Sequence, residues 1–138
     1  MAAVGGRVVT SAAKLGDKVI AVDTHIVLIP SPAGPVPTPL PHPFNGQLVQ
    51  GLSSTVSIDE KPAAIKGSVA LNTAPHIGNG GPFQSPPSNR GTVNQGAASV
   101  FIDDKPVARM GDTVETCNDP VDAPQGVVVV EGATVFVT

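Results

Sequence analysis

One eleven-residue pattern occurs twice in this chain. Ser54-Thr55-Val56-Ser57-Ile58-Asp59-Glu60-Lys61-Pro62-Ala63-Ala64 matches Ala98-Ser99-Val100-Phe101-Ile102-Asp103-Asp104-Lys105-Pro106-Val107-Ala108 at an offset of 44 residues without a gap. A shortened third copy, Thr134-Val135-Phe136-Val137-Thr138, closes the sequence. Repetition at a fixed period means one supersecondary unit used several times. Each copy alternates β-branched and apolar residues, the signature of a strand. The acidic pair before each Lys-Pro reads as a hairpin turn.

A second element occurs three times: Gly16-Asp17-Lys18-Val19, Gly67-Ser68-Val69-Ala70 and Gly111-Asp112-Thr113-Val114. The chain therefore reads as one domain, residues 1–138, of three loose units at about 14–64, 65–108 and 109–138. Each unit starts at a Gly turn and ends in a strand. Asp17 and Asp112 are expected to cap their own turns. Arg109 is expected to pack its stem and bond a turn carbonyl. The Val-rich run Val127–Val130 reads as a strand, in the core or at an interface.

Composition supports an all-β fold. Gly and Pro number fifteen each, which disfavours long helices, because Pro lacks an amide donor and Gly costs backbone entropy. With four Phe and neither Tyr nor Trp, the core must come from Val, Ile, Leu and Ala. The Pro-rich stretches Pro30–Pro43 and Gly78–Ser88 read as ordered loops wrapped on that core. A net charge of −3 gives no electrostatic case for nucleic acid or an anionic membrane. No run approaches the ~20 apolar residues of a membrane helix. No signal peptide is legible at the N-terminus, so cytoplasmic synthesis is expected, with export left to other machinery.

A loop-rich, aromatic-poor domain needs a staple, and one cysteine cannot form an internal disulfide. His25 and His76 each lie nine residues after a repeated Gly, and Cys117 lies six after Gly111. His42 sits in the first unit's longer loop, between Pro41 and Pro43. Three quasi-equivalent loops that converge would bring these four side chains together. Four such donors are what a closed tetrahedral zinc site takes. Iron can use similar sites, but nitrogen and sulfur donors in a tetrahedron favour zinc. Asp23, two residues from His25, is a candidate partner behind the ligands.

Lys61-Pro62-Ala63-Ala64-Ile65 and Lys105-Pro106-Val107-Ala108-Arg109-Met110-Gly111-Asp112 resemble the Pro-Ala-Ala-Arg signature and its trailing Gly-Asp. Gly132-Ala133-Thr134-Val135-Phe136-Val137 resembles the recurring strand of the same family, the PAAR-repeat proteins. The resemblance covers about Lys14 to Thr138. The first signature ends in Ile65 instead of Arg, and the second has Val107 for Ala. The resemblance implies a short cone of strands with pseudo-threefold symmetry and an apical zinc ion held by His25, His42, His76 and Cys117. It implies a single copy capping the trimeric valine-glycine-repeat spike of type VI secretion or a phage-tail-like contractile injection system. Such a tip is carried out of the cell in the particle and contacts the target membrane transiently. The base contact is expected from the strand copies, at Thr55, Ser99, Thr134 and Phe136. Because the chain stops after the third strand copy, a tip without an effector domain is expected, with effectors carried elsewhere.

Two other classes compete. A zinc hydrolase needs an open coordination position, which Cys117 would fill. No His-Glu-x-x-His run occurs and no Glu lies near any His. The chain is therefore not expected to be an enzyme. A β-rich adhesin unrelated to injection would share the Val and Gly content, but has no need of three His and one Cys in register.

Overall fold

The structure, a computed structural model, describes residues 2–4 and 7–138. Among these residues the chain is all-β, without a helix. Six strands close a barrel in the order β11 (Thr113–Thr116), β12 (Ala123–Val129), β3 (Lys18–Ile29), β4 (Val36–Gln50), β7 (Val69–Asn72) and β8 (Arg90–Val93), and β8 returns to β11. Every neighbouring pair is antiparallel. The three repeats each supply one up–down pair: β3–β4, β7–β8 and β11–β12.

At one barrel end stand the hairpins β5–β6 (Ser57–Ile58, Lys61–Pro62) and β9–β10 (Phe101–Ile102, Lys105–Pro106). Their two-residue turns hold Asp59, Glu60, Asp103 and Asp104 at φ of 52°, 65°, 51° and 63°. Paired positive φ is the turn geometry that matches strand twist in a tight hairpin. The third hairpin is assembled from the two chain ends. β13 (Phe136–Val137) pairs with β2 (Arg7–Ser11), which also pairs with β1 (Ala2–Val4).

This pairing reveals a third signature copy, Ser11-Ala12-Ala13-Lys14-Leu15-Gly16-Asp17, in register with Pro62–Ser68 and Pro106–Asp112. Three backbone hydrogen bonds close a ring through it. Ala13 donates to Ala108 O (2.9 Å), Ala108 to Ala64 O (3.0 Å) and Ala64 to Ala13 O (2.9 Å). All three alanines are fully buried. Three segments of the chain crossing one axis leave space for a methyl group and little more, so alanine occupies each of these positions.

The residue after each ring alanine faces the residue after each Gly. Lys14 Nζ lies 3.2 Å from Asp17, and Arg109 Nη2 lies 2.8 Å from Asp112. Asp17 and Asp112 also accept the backbone amides of Lys14 (3.0 Å) and Arg109 (2.6 Å). Both cap their turns as expected, and Arg109 pairs with Asp112 rather than with a turn carbonyl. In the second unit Ile65 and Ser68 take these places, and Ser68 Oγ caps Ile65 N at 3.0 Å. Cation and carboxylate are lost together there. Losing one alone would leave a buried charge unpaired, at a cost of about 3–5 kcal/mol.

The barrel is filled by Val19, Phe44, Leu48, Ala70, Val93, Val114 and Val128. Phe44 is the one aromatic residue in this core, and its ring occupies space left by glycine. A Cβ on Gly46 would lie 2.7 Å from Leu71 O and 2.8 Å from the Phe44 ring. A second cluster, including Ala12, Ile58, Ala63, Val107 and Val137, fills the hairpin end. In the Val127–Val130 run, Val128 and Val130 are buried and Val127 is exposed, so that run belongs mainly to the core.

The Pro-rich segment departs from its reading as a loop. β3 and β4 pair from Lys18↔Gln47 to Ile29↔Val36, so residues 36–43 are strand. The amides of Thr24, Ile26 and Leu28 point away from β4, toward Asn118, Asp119 and Pro82. Their partners Pro41, Pro39 and Pro37 therefore direct their nitrogens away from β3 as well. Pro43, opposite Val22, keeps the same alternation. Each proline sits where an amide would face the ribbon's outer edge, the place a strand tolerates it. The result is an extended ribbon whose edge cannot donate to another strand.

Ala64→Leu is expected to destabilise the fold by at least about 1–3 kcal/mol through overpacking, read as a lower urea midpoint. Ala33→Leu, on the exposed ribbon turn, should leave the midpoint in place. Equal midpoints for the two variants would contradict the tight axial ring.

Candidate metal centre

Strand alternation places the site. On β3 the residues Val19, Asp23, His25 and Val27 are buried, while Ile20, Val22 and Thr24 are exposed. On β4 His42, Phe44 and Leu48 are buried. Asp23 and His42 are directly opposite in the ladder. The inward row is apolar inside the barrel and becomes polar beyond Ala21, at the end remote from the hairpins. The second and third units reach the same place. His76 lies in the loop after β7, its amide donating to Asn89 Oδ1 at 2.8 Å. Cys117 directly follows β11, its amide bonding to Arg90 O at 3.2 Å.

Asp23, His25, His76 and Cys117 each offer a ligand atom, and these atoms all lie within 4.8 Å of one another. His42 stands beside them, its ring centroid 5.5 Å from those of both His25 and His76. Each imidazole turns Nδ1 to a neighbour. His25 Nδ1 faces Asp119 Oδ2 at 3.5 Å, His42 Nδ1 bonds to Leu40 O at 3.0 Å, and His76 Nδ1 faces Asn72 Nδ2 at 3.4 Å. The Nε2 atoms of His25 and His42 are buried, and His76 Nε2 lies 2.9 Å from Asp23 Oδ2. The Asp119 carboxylate and the Leu40 carbonyl are acceptors of the kind that orient imidazoles in metal sites; Asn72 Nδ2 is a donor, to which His76 Nδ1 presents its lone pair.

The site fits a cation on two grounds. Nε2 of His25 and Nε2 of His42 are buried without a hydrogen-bond partner, which is costly for polar atoms unless something else satisfies them. The donor set of imidazole, thiol and carboxylate also suits a transition metal. Without a cation, burial and the nearby Asp23 carboxylate push the Cys117 thiol up to about 11, and burial lowers His25 below its ordinary value. A bound divalent cation would reverse the first effect by stabilising the thiolate.

Of the four expected ligands, His25, His76 and Cys117 fall in this donor group; His42, delivered by a strand instead of a loop, stands beside it and outside it. Asp23 is drawn further in than the place behind the ligands expected for it. Its signal in the sequence was the alternation that puts Asp23 and His25 on one face of β3. The four expected base residues are all exposed at the hairpin end. There the Thr55 hydroxyl donates to Asp103, Thr134 donates to Asp59 at 2.7 Å, and Ser99 Oγ meets Thr138 Oγ1 at 2.7 Å. These hydroxyls tie each unit to the next around the ring. The side chains turned outward are Val56, Phe101, Val135 and Phe136, of which the sequence reading named only Phe136.

Residues 84–138 match the family model of the PAAR motif, which supports a PAAR-repeat protein. No curated protein matches the chain. The matched segment runs through β8–β13 and includes Cys117. Asp23, His25, His42 and His76 lie before it and are joined to it by the barrel.

Removing metal with a chelator should lower the melting temperature by roughly 10 °C, since a ligand at a thousand times its Kd adds about 4 kcal/mol. The metal-free chain should lose further stability below about pH 6.5, the ordinary histidine value. There the unfolded chain takes up a proton that buried His25 refuses, until the pH falls through the lowered folded value. Calorimetry across pH 5–8 checks both. Identical melting with and without chelator would contradict the site.

Proposed function

We propose that this PAAR-repeat chain is the metal-stabilised tip of the spike in a contractile injection apparatus. The PAAR motif supports a spike-tip protein of contractile injection systems in general. In the finer reading, one zinc ion is held by His25, His42, His76 and Cys117. One copy of the chain caps a trimeric valine-glycine-repeat spike of a type VI or phage-tail-like system and pierces a target membrane. It is carried outward as part of the particle. The role is mechanical and not catalytic, since the protein donors fill the coordination positions a hydrolase would keep open.

The observation that carries this reading is the threefold equivalence at the hairpin end. One asymmetric chain presents three similar hairpin edges around a ring of three hydrogen bonds. That is the form needed to face three identical subunits at once. Val56, Phe101, Val135 and Phe136 supply exposed apolar surface there. A terminal cap would also cover the strand edges of a trimeric β-helix.

The opposite end has the complementary character. From Thr24 to Ile58, and again from Gly67 to Asn89, there is no Asp, Glu, Lys or Arg. Those segments include the ribbon and the loop that carries His76, and the first runs on into β5. Charge is expensive in hydrocarbon, and the ribbon's prolines remove edge amides that would otherwise need a partner. A cation in the knot adds binding energy present only in the folded state, which resists unfolding under load.

An immobilised chain is expected to capture a purified trimeric spike from its own system. Phe101→Asp with Phe136→Asp should weaken capture at least tenfold, while Val36→Asp on the ribbon leaves it unchanged. Capture insensitive to the hairpin end, or lost only with the ribbon change, would overturn the assignment of the base.

A further inference from the structure

We infer that Asn79 is a site of spontaneous covalent modification, where the folded chain converts its own asparagine to aspartate and isoaspartate. Two Asn-Gly dipeptides occur in the sequence, Asn45-Gly46 and Asn79-Gly80. In such a pair the glycine amide nitrogen attacks the asparagine side-chain carbonyl carbon, because no side chain on the following residue blocks the approach. A C–N bond forms and closes a succinimide ring. The side-chain nitrogen leaves as ammonia, taking the glycine amide proton with it. Water then adds to either ring carbonyl and opens the ring to aspartate or isoaspartate. Water is the one co-reactant, and nothing is oxidised or reduced.

The fold sets these two dipeptides far apart in reactivity. Asn45-Gly46 is held from both sides. Gly46 lies opposite Val19 on β3 and opposite Asn72 on β7. Asn45 N donates to Asn72 Oδ1 at 3.0 Å, and Asn45 O accepts from Thr73 N at 3.0 Å. The alternation that turns Pro43 N away from β3 turns the Gly46 amide toward it. That nitrogen is freed only when the barrel opens locally, so its rate carries the free energy of that opening.

Asn79-Gly80 needs no such opening. Both residues are exposed, in the segment between β7 and β8. Among the described residues, Gly80 N donates to no backbone carbonyl. Gly80 has φ of 99°, and a Cβ there would meet only Ile29 Cδ1, at 3.3 Å. The flanking glycines are tightly packed. A Cβ on Gly78 would run into Gly81 O, and one on Gly81 into Leu28 O. Close packing therefore fixes the base of the turn and leaves its tip in solvent.

The conversion changes this end of the molecule. Gly67–Asn89 contains no Asp, Glu, Lys or Arg, so the new carboxylate is the first formal charge in that stretch. Asn79 lines a pocket with His42, Pro43, Pro75, His76 and Ile77, and the charge appears on its wall. The isoaspartyl product also inserts a methylene into the backbone between Gly78 and Gly81, where the packing has no room for it. The reaction needs no metal ion and no partner protein. Converted chains accumulate with time, which makes Asn79 a mark of the protein's age.

The test incubates the full folded chain in H₂¹⁸O in warm, mildly alkaline buffer, then digests it with trypsin in ordinary water. The heavy oxygen enters only with the water that opens the succinimide, so amide lost during digestion is not counted. Asn79 falls in the peptide Gly67–Arg90 and Asn45 in Val19–Lys66, since trypsin does not cut between Lys61 and Pro62. Fragmentation mass spectra are expected to place label at Asn79, gained roughly tenfold or more faster than at Asn45. In urea the two rates should converge. Asn79→Gln should remove the label from Gly67–Arg90. Equal rates at the two sites in the folded chain would overturn the inference. So would an unlabelled Asn79 after the time that converts the unfolded chain, or label in Gly67–Arg90 that survives Asn79→Gln and therefore comes from Asn72 or Asn89.

Discussion

The ring of amide–carbonyl bonds through Ala13, Ala64 and Ala108 brings three distant parts of the chain to one axis. From each alanine the backbone leaves through a Gly turn into an ascending strand, so the three ascending strands start level. Starting level, β3, β7 and β11 carry their polar residues to the same height. The donors at the far end are therefore a consequence of the ring at the near end. The metal centre then closes a region where the apolar core has run out.

This arrangement divides the molecule by chemistry. The hairpin end is apolar inside, acidic at its turns and tied around its rim by hydroxyls. The Thr55 and Ser53 hydroxyls hold the Asp103 carboxyl below its ordinary value, and further hydroxyl links follow at Asp59 and Thr138. The metal end has almost no formal charge beyond the donors and the acidic residues around them. A pseudo-threefold hairpin face and an end nearly free of formal charge thus share one short chain.

Much of this was legible beforehand because the chain repeats itself. The 44-residue offset exposed the hairpins, and the spacing of His25 and His76 from their glycines exposed the centre. Two features were hidden for physical reasons. The first signature copy lacks the Lys-Pro turn before it, because its hairpin is closed by β13 from the other end of the chain, and no local pattern reports a pairing between termini. Proline opposes strand, so the ribbon's sequence has the character of a loop; only the ladder shows that Pro37, Pro39, Pro41 and Pro43 all fall on one outward edge. Ile65, which looked like a defect in the signature, is explained by Ser68 across the turn. The place of Asp23 beside the histidines follows from β3 continuing past the barrel with its alternation unbroken.

The central claim is that three repeats, aligned by the alanine ring, deliver their polar residues to one cation. Diffraction from crystals of the metal-loaded chain, recorded on both sides of the zinc absorption edge, tests it directly. The account predicts one strong anomalous peak among Asp23, His25, His42, His76 and Cys117. A metal peak elsewhere, or donor side chains turned away from one another around an empty space, would contradict it.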